Sequence, residues 1–320
     1  MHFDPSILTV ALTGAVAYGA GDFLGGRAAL RLSTFSAVAI AQTASAAYIT
    51  HAFVQPGQSL PDISLVWPCT VAGCAYVAGV ALLYRGFAHG QICIVAPLCS
   101  LFSILVPLAG DFHLQRQLDG GLLLGVALCT ASAVVIASPS SGSSTKDPKR
   151  SVRLGVASGL GYGVADLIMG QTPASDASSA LLVMRLVASS VALTSGAILI
   201  LAGKRILRRG TGYFQTPTNA SLAIVYPGGR AGAGSAVGNS HSALYTGLLL
   251  AATAGVLDVL GQISYMAAAA QGSMGVAAAL VGLFPGVSVL LAVIILRERI
   301  GLTQLVGLAV GATGVLLVSY

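Results

Sequence analysis

Apolar stretches of about twenty residues, separated by short polar breaks, follow one another along almost the whole chain. Twenty residues of helix span roughly 30 Å, the thickness of a bilayer's hydrocarbon core. The pattern predicts ten spans: 6–26, 34–54, 64–84, 92–110, 120–138, 152–171, 179–202, 243–265, 273–296 and 301–320. Two segments break it. "SPSSGSSTKDPKRSVR" (138–153) is polar and lies at the midpoint, and 203–241 is Gly-rich and of low complexity. The expected division is 1–138, a cytoplasmic linker 139–151, and 152–320, with 203–241 as a long flexible cytoplasmic loop.

Composition narrows the class. Only 8% of the 320 residues are charged while 55% are hydrophobic, with a mean hydropathy of +0.86. A soluble domain carries about 25% charge, so this chain cannot clothe a water-facing surface. It reads as an all-α integral membrane protein, and its 40 glycines suit helices that pack closely in lipid. The net charge of +6 follows from orientation rather than from nucleic-acid binding. Fourteen of the 16 basic residues fall in the odd-numbered loops, including Arg27, Arg31, Arg85 and Lys146. The Lys/Arg bias of cytoplasmic loops then places both termini outside. The five cysteines lie in apolar segments without metal-ligand spacing, and they read as small buried hydrophobes. No metal site and no cofactor are expected.

The chain also repeats itself. "AYGAGDFLGG" (17–26) matches "GYGVADLIMG" (161–170), pairing Tyr18 with Tyr162 and Asp22 with Asp166 at an offset of 144. "AHGQICIVAPLCSLF" (88–102) matches "AQGSMGVAAALVGLF" (270–284) at an offset of 182, and that register runs to the C-terminus. Each copy holds five spans, an odd number, so the second enters the bilayer from the opposite side. The expected architecture is ten transmembrane helices in two inverted five-helix repeats, an arrangement that puts a transport site at the repeat interface.

At this point the residues resemble a family. "YMAAAAQGSMGVAAALVGLFPGVSVLLAVIILRERIGLTQLVGLAVGATGVLLVS" is similar to the end of an EamA-type repeat of the drug/metabolite transporter superfamily, with Glu298 and Arg299 opening its last loop. "LLVMRLVAS" (181–189) is similar to the Arg-bearing second helix of that repeat. The first copy departs from it, reading "DFHLQRQLD" (111–119) where the Glu-Arg pair would stand. The resemblance implies a ten-helix transporter of small metabolites or drugs.

Three acids fall inside spans: Asp22, Asp166 and Asp258. A charged residue at mid-membrane costs roughly 2.5–3.5 kcal/mol on insertion scales, so each must pair with a cation, stay protonated or line water. Reflecting the hairpin of spans six and seven about residue 175 puts Asp166 and Arg185 at equal depth, about 14 Å along their helices. They are expected to form an intramembrane ion pair, either a structural staple or part of the site. The same reflection pairs Asp22 with Gln42, which can donate a hydrogen bond but cannot neutralise it. Asp22 is therefore either a proton-coupling acid or an interfacial acid near Arg27 and Arg31. Asp258 has Gln262 four residues on and no cation on its helix. It reads as a second coupling site or as an acid satisfied by Gln262 and nearby hydroxyls. Tyr18 and Tyr162 precede their acids by four residues, placing a hydroxyl and a ring beside each. Tyr84, Tyr265 and Trp67 read as interface markers. Pro97, Pro107 and Pro285, with Gly282 and Gly286, would kink spans four and nine, either as gating elements or as packing bends.

The leading expectation is a secondary active transporter in the plasma (inner) membrane. It would export a small metabolite or drug by exchange with protons or another cation through a central cavity. The alternative is an uncoupled facilitator of a small polar solute. The partners are then a small-molecule substrate, membrane lipids and a coupling cation. Scattered His residues and the lack of a nucleophile–base arrangement speak against an enzyme.

Overall fold

The computed structural model describes residues 5–54, 62–89, 92–114, 120–136, 148–209, 240–271, 273–296 and 302–319. Among them the chain is all α-helical, with one 3₁₀ turn, Ala174–Asp176, and no strands. The first part supplies α1 (Pro5–Arg31), α2 (Thr34–Phe53), α3 (Ile63–His89), α4 (Ile92–His113) and α5 (Gly120–Ile136). The second supplies α6 (Pro148–Gly170), α7 (Ala177–Arg209), α8 (Ser240–Ala269), α9 (Met274–Val281), α10 (Phe284–Leu296) and α11 (Leu302–Ser319). Each expected span has a helix, and α9 with α10 accounts for the ninth. The pair Glu298 and Arg299 lies outside the described residues, as do most of the polar linker and the 210–239 part of the long loop. Helix does invade both polar segments. α6 starts at Pro148 and α7 runs on to Arg209.

Six helical segments are long and apolar enough to cross a bilayer: Leu8–Arg31, Ile63–Ala88, Val95–His113, Lys149–Gly170, Ala174–Ile198 and Leu244–Ala269. The protein is therefore a multi-pass membrane protein. Its outer surface agrees, since Val16, Trp67, Leu193, Ile198, Leu249 and Ile294 are exposed, which suits lipid but not water. α2 is not among the six. Its Gln, Ser, Thr and His residues lower its hydropathy, and Gln42 and Ser45 are buried inside the bundle.

Local rules mark several ends. Ser33 caps α2 by accepting from the Ser36 N–H at 3.0 Å, and Ser273 caps α9 by accepting from Val276 N–H at 3.1 Å. The ninth span breaks at Gly282 and Leu283. Pro285 has no N–H to continue the ladder, and Gly286 N–H instead reaches back to the Leu283 carbonyl at 2.9 Å. The break frees the Gly282 carbonyl, which accepts from Ser100 Oγ on α4 at 2.6 Å. In α4, by contrast, the helix continues through both Pro97 and Pro107.

The packing is paired. α1 lies along α8 and also meets α9 and α10, while α6 lies along α3 and α4. α2 and α7 pack together, α2 also on α8 and α7 on α3, and α5 pairs with α11. Close backbone approach repeats in the same way. A side chain on Gly19 would meet the Phe284 carbonyl, and one on Gly163 the Phe102 carbonyl. Gly261 faces the Tyr18 ring, and Gly79 the Tyr162 ring. These contacts let helices sit closer than any larger residue would allow.

Candidate functional site

The two Tyr/Asp helices, α1 and α6, run on either side of one internal cavity. Tyr18 and Asp22 enter it from α1, and Tyr162 and Asp166 from α6. Ser103 of α4, Tyr265 of α8 and the broken ninth span (Ala278, Val281, Gly282, Phe284) complete the lining. The cavity has a volume of about 20 Å³, room for roughly one water. That is too small for an organic solute.

Inside it the two acids differ. Asp166 Oδ1 accepts from Gln262 Nε2 at 3.2 Å, and its backbone carbonyl accepts from the Tyr265 hydroxyl at 2.9 Å. Tyr18 donates to Gln262 Oε1 at 2.6 Å, so Gln262 bridges α1 and α6 through α8. Asp22 is 5% exposed and has no hydrogen-bond or ion-pair partner among the described residues. The Tyr162 hydroxyl is likewise buried without a partner.

Behind the cavity lies a charged layer. Arg185 Nη1 donates to Asp258 Oδ2 at 2.7 Å, and Nη2 to the Asp258 carbonyl at 3.5 Å. The Tyr76 hydroxyl donates to Asp258 Oδ1. The guanidinium carbon sits 4.3 Å from the centroid of the Tyr76 ring, which meets the Tyr162 ring edge-on at 5.0 Å and 74°. Arg185 is thus held by a carboxylate through Nη1 and Nη2 and by an aromatic face, while its Nε is buried without a partner.

Several expectations need correction. Arg185 pairs with Asp258, not with Asp166. Consecutive helices at equal depth need not face each other: α6 packs on α3 and α4 and α7 on α2 and α3, and Arg185 reaches Asp258 of α8 and Tyr76 of α3. Asp258 is accordingly neutralised, and Gln262 serves Tyr18 and Asp166 rather than Asp258. Gln42 does not bond to Asp22; it is buried, with Oε1 unpartnered. Asp22 touches neither Arg27 nor Arg31, because α1 extends to Arg31 and carries the acid about 13 Å inside the helix end. Tyr18 and Tyr162 do not donate to the acids four residues on. Pro97 and Pro285 lie outside the lining, while Gly282 is in it. Tyr84 and Tyr265 are buried rather than interfacial. Trp67 is exposed, but so is Cys74, unlike the buried Cys69, Cys99 and Cys129.

Other residues escaped the sequence reading. Tyr76 was legible in principle, since it stands 182 positions before Asp258, in the repeat register. Tyr265 follows Gln262 by three, on the same helical face. Asp111, in a stretch that reads as a loop, lies in the last turn of α4, fully buried. Its carboxylate accepts from Ser273 Oγ at 2.5 Å, Gly275 N–H at 2.6 Å and Met274 N–H at 3.2 Å. It therefore ties α4 to the positive N-terminus of α9.

Comparison with known proteins supplies the family and the fold. The EamA-like transporter family matches residues 150–320, which hold α6 through α11. One solved structure, described only as "Crystal structure of protein", superposes with a TM-score of 0.65 at 14% identity, covering 98% of this chain and 95% of that one. That likeness shows the fold alone. No curated protein matches the chain in sequence. With the match running over more than half its length, the chain belongs to the EamA-like transporter family.

Proposed function

We propose that the protein is a secondary active transporter of the plasma membrane that exports a small solute by proton exchange. The two five-helix halves are inverted repeats, both termini face outward, and the cavity at their interface is the transport site. The repeat reading rests on paired contacts: residues related by the 144 and 182 offsets exchange places, Gly19–Phe284 with Gly163–Phe102 and Tyr18–Gly261 with Tyr162–Gly79. Orientation rests on the Lys/Arg distribution.

One observation carries the coupling: Asp22 is a buried, unpartnered carboxylate on the wall of the cavity. An isolated charge there is costly, so the acid holds a proton or another cation whenever the cavity is closed. Opening to either side lets it release that cation to the facing solution. The broken ninth span suits such movement, since it hinges where the ladder is already interrupted.

Proteoliposomes with an imposed pH gradient test this. Native protein should drive solute uphill in exchange for protons, and Asp22→Asn should abolish the uphill component while downhill exchange persists. Equal gradient-driven accumulation by both proteins would remove Asp22 from coupling. Equilibration without accumulation by the native protein would instead identify an uncoupled facilitator.

A further inference from the structure

We propose that the Asp22 cavity takes a small organic ammonium ion that carries no carboxylate of its own. The proposal rests on the transport reading above and names the chemical class of its substrate.

The hydrogen-bond inventory of the wall decides the class. Asp22 has both oxygens free to accept, and the Tyr162 oxygen has no partner. Ser103 donates its proton to the Ser100 carbonyl at 2.9 Å, leaving its oxygen as an acceptor. A primary ammonium brings three N–H donors and no acceptor, which suits the acceptor oxygens of these three side chains. Tyr18, Tyr162 and Phe284 line the cavity and supply aromatic surface for the cation and its apolar body.

An anion finds no equivalent welcome. The Tyr18 proton is committed to Gln262, the Tyr265 proton to the Asp166 carbonyl and the Ser103 proton to Ser100. Arg185 is fully buried outside the lining and engaged by Asp258. With Asp22 ionised, a substrate carboxylate, whether of an acid or of a zwitterion, would face Asp22 and Asp166, and the Tyr162 hydroxyl is the uncommitted donor the lining offers it, since the unpartnered Arg185 Nε lies outside the lining. Like charges at that range are repelled.

Ammonium and proton then compete for one carboxylate, so binding of either expels the other, and exchange follows without a separate coupling device. The charged and titratable groups around Asp22 are Asp166 and Tyr162 on α6, Asp258 on α8 (held by Arg185 of α7), Tyr84 on α3 and Cys99 on α4. Asp22 is the carboxylate among them left without a partner.

The test uses full-length protein in detergent and three probes of one shape: tyramine, its neutral analogue 4-hydroxyphenethyl alcohol, and 3-(4-hydroxyphenyl)propionate. Tyramine alone should raise the melting temperature, because binding to the folded state stabilises it. Its apparent affinity should fall toward about tenfold per pH unit as protons displace it. Asp22→Asn should cut affinity at least about tenfold, and Tyr162→Phe about fivefold. Equal shifts from the alcohol or the acid, no shift from any probe, or an unchanged response in Asp22→Asn would overturn the proposal. The comparison of the three probes on native protein stands even if a variant does not fold. Flux above that of protein-free vesicles separates the two readings. Tyramine binding without flux would overturn transport and leave the ammonium site. Protein-dependent movement of the alcohol or acid without tyramine binding would overturn the ammonium site and leave transport.

Discussion

Asp22 and Asp258 are both aspartates buried in the same bundle, and their surroundings could hardly differ more. Asp258 receives a guanidinium at 2.7 Å and a tyrosine hydroxyl, and Tyr76 covers the guanidinium from its other face. Asp22 receives nothing from the described residues and borders a cavity. The first is a charge-paired unit that welds α3, α7 and α8 together, with Arg185 Nε its one unpartnered donor. The second is an open valence. On the proposed reading the first is scaffold, with its charge balanced inside the protein, and the second draws its counter-ion from solution.

Three experiments sharpen that contrast. The largest effect belongs to Asp258→Ala, which strands Arg185 in the interior and should cost about 3–5 kcal/mol. Urea or thermal unfolding in detergent would measure it. The double variant Arg185→Met/Asp258→Ala should recover much of the loss, since no lone charge remains. Asp22→Ala in the same assay should be neutral or stabilising. Comparable losses for Asp22→Ala and Asp258→Ala would erase the distinction.

Next comes Gln262→Leu. It removes the bridge between Tyr18 and Asp166, leaving both without their side-chain partner, and should cost about 1–3 kcal/mol. The smallest pair compares repeat-related tyrosines. Tyr18→Phe should lose about 1 kcal/mol with its 2.6 Å hydrogen bond, whereas Tyr162→Phe should be stability-neutral because its hydroxyl has no partner. Equal effects from the two would mean that the halves treat their matched residues alike.

Much of this was legible in the sequence. Span length and the scarcity of charge read out the bundle, because a bilayer admits few other solutions. Both residues of each "Y…D" motif line one cavity, as four-residue spacing puts Tyr and Asp on one helical face whatever the packing, whereas Asp258, Gln42 and Gln262 lie outside that lining. The pairing of charges was not legible. Depth along α6 and α7 follows from counting residues, but the azimuth of Arg185 depends on which neighbours α7 packs against. The same holds for Gln262, whose amide reaches across two helices rather than along its own.

By itself the sequence determined the solvent, the all-helical class and the residues that could not be at ease in lipid. Those follow from composition and period, which every residue along the chain reports locally. Only the tertiary structure decided which acid Arg185 neutralises and which acid is left alone. Partnership across helices is a matter of rotation and close approach, here set by glycines such as Gly19 and Gly261, and no local pattern encodes it.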